Sequence, residues 1–379
     1  MGQLKTMVVR VIWFVAAALC CVNSASAARY YGAVDLGAKG TKAFLYSFTN
    51  EADGRDARVL FSKIINTPIV STMKGGQFTP EGIQAAADAV KTLIDALQAE
   101  AKTRKLSAVE YYVVGSSGVA KGENKDELVA AVKKATGLEM TFVDAKGEAY
   151  FAAISAVPKS QRSAALLVDI GSGNTKLGCL VGGTDFKAAE IPYGSVTLRN
   201  AGLKKDPNDI KAGIESLAKD EVGPAYKVES MNEPCLANRQ RIYWVGGAAW
   251  ATASFSHPER ALNGYVVIYR RDLETFLARL SDGTWNQKPL VFSFAKDTPV
   301  AEQNAIRAKA QQDWTGDKGV QNVFVREDLL AGVSIMKSVL EASNPSAVIV
   351  FARNGNYIFG YALDKYKEDA EISAASVSN

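Results

Sequence analysis

Histidine is nearly missing from this 379-residue chain: His257, beside Pro258, is the only one. A histidine-centred triad or a histidine-rich metal site therefore has no basis, and acid–base chemistry falls to carboxylates. Cysteine is scarce, with four residues, two of them (Cys20 and Cys21) in an N-terminal leader. Export permits a bond between the remaining Cys179 and Cys235, but two cysteines make no disulfide framework. Cys179, on an apolar strand, is expected to be buried as a small hydrophobe. Charge of one sign is also lacking: 44 basic and 40 acidic residues leave a net +4. That balance argues for no nucleic-acid ligand and no strongly acidic membrane surface. No long hydrophobic run exists either. Val11 to Val22, 12 residues, is too short to span a bilayer comfortably.

That run belongs to the leader. Lys5 and Arg10 precede it, and Ser24-Ala25-Ser26-Ala27 follows with small residues at the cleavage positions. The pattern predicts a secretory signal cut near Ala27, a periplasmic or secreted protein and no stable membrane span in the mature chain. The whole sequence is 47% hydrophobic and 22% charged, a folded composition with length for two domains.

The chain is organised around residues 165–181. An apolar run ends at Asp169, a turn of Gly171, Ser172, Gly173 and Asn174 follows, and Thr175-Lys176 opens a second apolar run. This predicts a buried strand, a tight turn and a returning strand, with a carboxylate at the lip. Backbone N–H groups in such a glycine turn form an anion site. The device occurs earlier, where Asp35, Gly37, Thr41 and Lys42 stand at the same offsets as Asp169, Gly171, Thr175 and Lys176. Two similar lobes, each with one phosphate-gripping hairpin, are expected. Lys39, Lys42 and Lys176 are candidate phosphate ligands, although alternation along the strand can equally turn Lys42 and Lys176 away.

Between and after the hairpins, strands alternate with helices. Thr79-Pro80 opens a helix with a stripe from Ile83 to Ala101, and a second helix from Asn124 ends at Gly137. Strand-end turns fall at 115–118, which holds Ser116 and Ser117, and at 144–148, which holds Glu148. A polar connection spans 158–163, and Arg241 to Trp250 is a strand, the pair Gly246-Gly247 and a helix start. The alternation predicts an α/β fold with a largely parallel sheet and ligands at strand carboxyl ends. The lobes are placed at 28–158 and 159–369, with a last helix over about 357–366 and a disordered tail at 370–379.

These motifs together resemble the exopolyphosphatase and guanosine-pentaphosphate phosphatase (Ppx/GppA) family of the actin-like superfamily. Val34-Asp35-Leu36-Gly37 resembles its first phosphate motif, and Leu167 to Thr175 its second. Val114 to Val119, Gly147-Glu148-Ala149, Val245 to Ala248 and Glu327 to Gly332 match in order. The resemblance spans roughly residues 30–365. It implies a two-lobed actin-like, ribonuclease H-like fold, with mixed sheets flanked by helices and an interlobe cleft. It also implies hydrolysis of a phosphoanhydride, polyphosphate or another phosphate-containing small molecule being the substrate, and it is compatible with a homodimer. Glu148 is then the catalytic carboxylate that activates water, and Asp35 and Asp169 hold Mg²⁺ directly or through water. Gly37, Lys39, Gly40, Thr41, Ser116, Ser117, Gly171, Ser172, Gly173, Asn174, Thr175, Gly246 and Gly247 line the phosphates. The chain departs from the family at Lys176, where a glutamate is usual, and at Ala120, where an arginine is common. Lys39 and Gly40 are closer to secreted apyrases. An apyrase-like nucleotide phosphatase and a non-catalytic phosphate-binding protein therefore stay open beside the polyphosphatase reading.

Overall fold

The computed structural model of the protein describes residues 28–38, 40–49, 57–67, 69–182, 184–287, 289–344 and 346–377. The expected leader with its cleavage site, and Lys39, lie outside the described residues. Among the described residues the strands form two sheets. β1 (Arg29–Leu36), β2 (Thr41–Phe48), β3 (Arg58–Ile65), β4 (Val109–Gly115) and β5 (Met140–Phe142) lie in the order β3-β2-β1-β4-β5. β6 (Ala165–Ile170), β7 (Thr175–Val181), β8 (Asp185–Ile191), β9 (Arg241–Gly246), β10 (Tyr265–Ile268) and β11 (Val348–Ala352) lie in the order β10-β11-β9-β6-β7-β8. With β10 set aside the two orders are the same. Each sheet has three antiparallel strands, continued by parallel ones. The sheets are thus mixed rather than largely parallel, because each tight glycine turn can only join antiparallel strands.

The helices are α1 (Pro80–Thr103), α2 (Lys125–Thr136), α3 (Ala145–Ala156), α4 (Ser195–Lys205), α5 (Ile210–Leu217) and α6 (Gly223–Asn232). They continue as α7 (Gly247–Ser256), α8 (Arg270–Ser281), α9 (Val300–Thr315), α10 (Val320–Val323), α11 (Arg326–Ala342) and α12 (Tyr357–Val377). Local chemistry sets their ends. Thr79 Oγ1 accepts the amide of Gly82 at 3.1 Å and Pro80 occupies the first turn of α1. Gly137, at φ +76°, ends α2 in the left-handed region. The stripe Ile83, Ala87, Val90, Ile94 and Leu97 of α1 packs on Val34, Leu36 and Leu45 of the first sheet. Each such aliphatic side chain contributes about 1.5–3 kcal/mol by leaving water.

All strands of the first sheet precede residue 159 and all strands of the second follow it, but two helices cross that division. α3 lays Ala149, Ala152, Ala153 and Ala156 on Leu167, Leu180 and Phe186 of the second sheet. α12 returns Ile358, Ala362, Leu363 and Tyr366 to Tyr31, Ala33, Tyr46 and Phe48 of the first. The two helices meet where Gly360 faces Phe151: a Cβ on Gly360 would lie 1.9 Å from the Phe151 carbonyl oxygen. Ser155 Oγ donates to the Asn356 carbonyl at 3.0 Å in the same crossing. The last helix also runs to Val377 rather than stopping at Tyr366, so residues 370–377 of the expected disordered tail are helical. Ala370, Ala374 and Ala375 favour helix, and no glycine or proline stands there to stop it.

Cys179 is buried, as expected, but it is bonded to Cys235 and not free. β7 passes beside the short turn Pro234–Leu236, which brings the two Cα atoms to 6.2 Å, within bonding range. Among the described residues no helix is long and apolar enough to cross a membrane.

Candidate active site

Each hairpin sets its aspartate opposite its lysine. Asp35 pairs with Lys42 across β1 and β2, and Asp169 pairs with Lys176 across β6 and β7. Directly opposed residues share one face of a sheet, so register, not alternation along a single strand, decides where the lysines point. Both point at their aspartates. Lys42 Nζ lies 3.9 Å from Asp35 Oδ2 and stays half exposed, whereas Lys176 Nζ lies 3.5 Å from Asp169 Oδ2 and is buried.

The difference comes from Glu148. It sits in the first turn of α3, whose cap is Asp144 accepting the Gly147 amide at 2.7 Å. The crossing of α3 onto the second sheet carries Glu148 inward to 3% exposure, so it is no solvated helix-start carboxylate. Its Oε2 lies 2.7 Å from Lys176 Nζ and its Oε1 accepts the Ser117 amide at 2.5 Å. Burial pushes the Glu148 carboxyl above the ordinary glutamate value, while Lys176 and the Ser117 amide act the other way. Burial alone would lower the Lys176 amine, but the charges of Asp169 and Glu148 outweigh it and hold it protonated, above its ordinary value.

Asp35 is raised by burial against the pull of Lys42, Tyr357 and Lys176, and the charge of Asp169 adds to the rise. The charge of Asp169 is thus felt at Asp35 across the junction of the lobes. Tyr357, the first residue of α12, donates its hydroxyl to Asp35 Oδ1. It also feels the charges of Glu148 and Asp169, and burial holds it in the phenol form. No sequence motif marks Tyr357. The polar Asn354-Gly355-Asn356 turn before it was the only local signal, and its proximity to Asp35 exists only because α12 returns to the first lobe.

The second turn is built to leave amides free. Its Gly171 amide closes the turn on the Asn174 carbonyl at 3.0 Å, as the Gly37 amide closes the first turn on Gly40 at 3.0 Å. Its carbonyls face the start of α4: Ser195 donates to Gly171, Val196 and Thr197 donate to Ser172, and Thr197 Oγ1 donates to Gly173. Gly194 permits this approach, since a Cβ there would lie 2.5 Å from the Gly171 carbonyl oxygen. Among the described residues the amides of Ser172, Gly173 and Asn174 have no backbone acceptor. Such a run of unpaired amides is an anion nest.

Other residues expected at the phosphates are occupied in different ways. The Thr175 hydroxyl donates to the Tyr193 carbonyl at 2.7 Å, and the Asn174 side chain donates to Glu190 at 2.8 Å. The Ser116 amide donates to the Leu36 carbonyl, and Ser117 uses its amide on Glu148. Thr41 is fully buried, and Gly40 lies against the Ile65 carbonyl. Gly246, at φ +97°, lets β9 pass Ile170, where a Cβ would come within 3.4 Å of Asp169 Oδ1. Gly247 makes room for the ring of Phe324 instead.

At Asp169, one of the two expected Mg²⁺ ligands, the Lys176 ammonium already faces Oδ2 at 3.5 Å. An Mg²⁺ ion is held by one or two carboxylates and fills the rest of its octahedral shell with water and phosphate oxygens. Among the described residues no three histidine, cysteine, aspartate or glutamate side chains gather as a metal-ligand group. The cation between Glu148 and Asp169 is the Lys176 ammonium.

The Ppx/GppA phosphatase family model matches residues 70–288. No curated protein matches the chain. Among solved structures, the chain is similar to a Ppx/GppA family member from Aquifex aeolicus, with 14% identity and a TM-score of 0.64 over 90% of this chain and 99% of that one. It is also similar to an exopolyphosphatase from Cytophaga hutchinsonii, with 15% identity and a TM-score of 0.60 over 89% of this chain and 98% of that one. Both likenesses establish the two-lobed fold.

Proposed function

The chain belongs to the Ppx/GppA phosphatase family, hydrolases of phosphoanhydride bonds, and on that premise we propose that it is an exported enzyme that removes phosphate from polyphosphate or a closely related anhydride. The observation that carries the reading is the free amide run Ser172–Asn174 beside the buried Glu148–Lys176–Asp169 cluster. The amides receive the oxygens of the phosphate under attack, and Lys42 is exposed enough to meet the rest of the anion. Glu148 orients a water and takes its proton as the new oxygen–phosphorus bond forms and the bridging bond breaks. Lys176 and the Ser117 amide favour the ionised, accepting form of Glu148. Asp35, held by Tyr357, adds the first lobe's carboxylate.

The Cys179–Cys235 bond supports export, because such bonds persist in oxidising compartments. The test is phosphate release by purified protein from polyphosphate, ATP, ADP and GTP. Release from polyphosphate above the nucleotides supports the reading, and a preference for nucleotides turns it to the apyrase type. The Lys176–Glu148 ion pair favours one other reading, a phosphate-binding protein that does not turn over. Saturable polyphosphate binding without release would establish it.

A further inference from the structure

Lys176 lies buried between two carboxylates, an uncommon place for a lysine. Its side chain is 7% exposed, its ammonium contacts Glu148 at 2.7 Å and Asp169 at 3.5 Å, and β7 fixes it from the second lobe while α3 and β6 bring the carboxylates to it. The Coulomb field of Lys176 also reaches Asp35. The ammonium therefore neutralises the negative cluster from inside the fold. We propose that Lys176 is a built-in cation that stands in place of a bound divalent metal, so that anion binding and phosphate release at this site need no metal held by the protein.

The physical argument is one of space and charge. A divalent ion bound by Asp169 would lie about 2 Å from its oxygens. The same carboxylate already faces a fixed ammonium at 3.5 Å, so metal and ammonium would repel at close range in a buried place. Glu148, the nearest further carboxylate, already has one oxygen on that ammonium and the other on the Ser117 amide. Lys176 cannot swing out of the way cheaply. It would leave Glu148 buried without a counter-charge. A lysine is also a compact point charge that suits a phosphate oxygen as well as a carboxylate. An incoming anion can share the ammonium with Glu148 without displacing it.

The proposal rests on the phosphatase reading for its ligand, and its first test does not use turnover. Mn²⁺ is titrated into the substrate-free protein and followed by electron paramagnetic resonance, for wild type, K176E and K176Q. Wild type is expected to bind Mn²⁺ at least about tenfold more weakly than K176E, with K176Q between them. Should K176E not fold, K176Q against wild type decides in the same direction. Mn²⁺ bound as tightly by wild type as by the variants, or by none of the three, overturns the proposal. The companion measurement is phosphate release in excess EDTA. Release unchanged within about twofold supports a metal-free site, and release abolished by EDTA and restored by Mg²⁺ contradicts it. If no substrate releases phosphate but the Mn²⁺ order holds, the functional reading fails and the inference about Lys176 stands.

Discussion

Lys176 Nζ lies 2.7 Å from Glu148 Oε2, joining the return strand of the second hairpin to the first turn of a helix that comes from the first half of the chain. Because both groups are buried, neither can be removed alone without leaving a charge or a carboxyl uncompensated. Lys176→Met is expected to destabilise the protein by about 3–5 kcal/mol in urea unfolding. The double variant K176M/E148Q should recover most of that loss. A single-variant loss below about 1 kcal/mol would show that the pair does not exist in solution.

The pH dependence has a definite sign. Asp35 and Glu148 are both raised by burial above their ordinary values of 3.8 and 4.5. The native state then holds protons that the unfolded chain has already released. Stability contributed by these groups is present at low pH and is lost as pH rises through their native values. Catalysis runs the other way, since a base must be ionised. The acid limb of kcat/KM should therefore have its midpoint above 4.5, and the limb should vanish from the residual activity of Glu148→Gln. A midpoint at or below that value would contradict the buried setting of Glu148.

The bond between Cys179 and Cys235 closes a separation of 56 residues across the second lobe. By chain-entropy arguments such a cross-link contributes about 4 kcal/mol. Cys235→Ser should lower the unfolding free energy by roughly 2–4 kcal/mol. Dithiothreitol should lower the melting temperature of wild type and leave that of the variant unmoved. Equal response of the two proteins to reductant would show that the bond is not formed.

The crossing of α3 and α12 has no room for a side chain at Gly360, where a Cβ would lie 1.9 Å from the Phe151 carbonyl oxygen. Gly360→Ala should cost about 2 kcal/mol or more through displacement of the two helices. Since α3 carries Glu148 and α12 carries Tyr357, it should also slow turnover more than it weakens substrate binding. An alanine tolerated on both counts would mean that the helices cross elsewhere.

The two hairpins were legible because four residues recur at fixed offsets, and that repeat corresponds to equal sheet orders in the structure. Glu148 stood out through its place after a strand and the family resemblance. The direction of Lys42 and Lys176 was not legible, because a single strand offers two faces and only the cross-strand register chooses between them. Helix α4 was missed because Ser195–Lys205 has hardly any apolar stripe; it forms as a cap on the turn carbonyls rather than as an amphipathic helix. Helix α6 was hidden by Pro224, which is tolerated because a π turn over Ala218–Val222 precedes it. Tyr357 and the disulfide depend on contacts between distant segments, which local patterns do not encode.

The most direct measurement of the central claim is single-turnover phosphate release from polyphosphate by wild type and Glu148→Gln, both at saturating enzyme. The account predicts that the variant binds polyphosphate within a few-fold of wild type but releases phosphate at least about a hundredfold more slowly. Release at the wild-type rate by Glu148→Gln would contradict it and remove Glu148 from the chemistry.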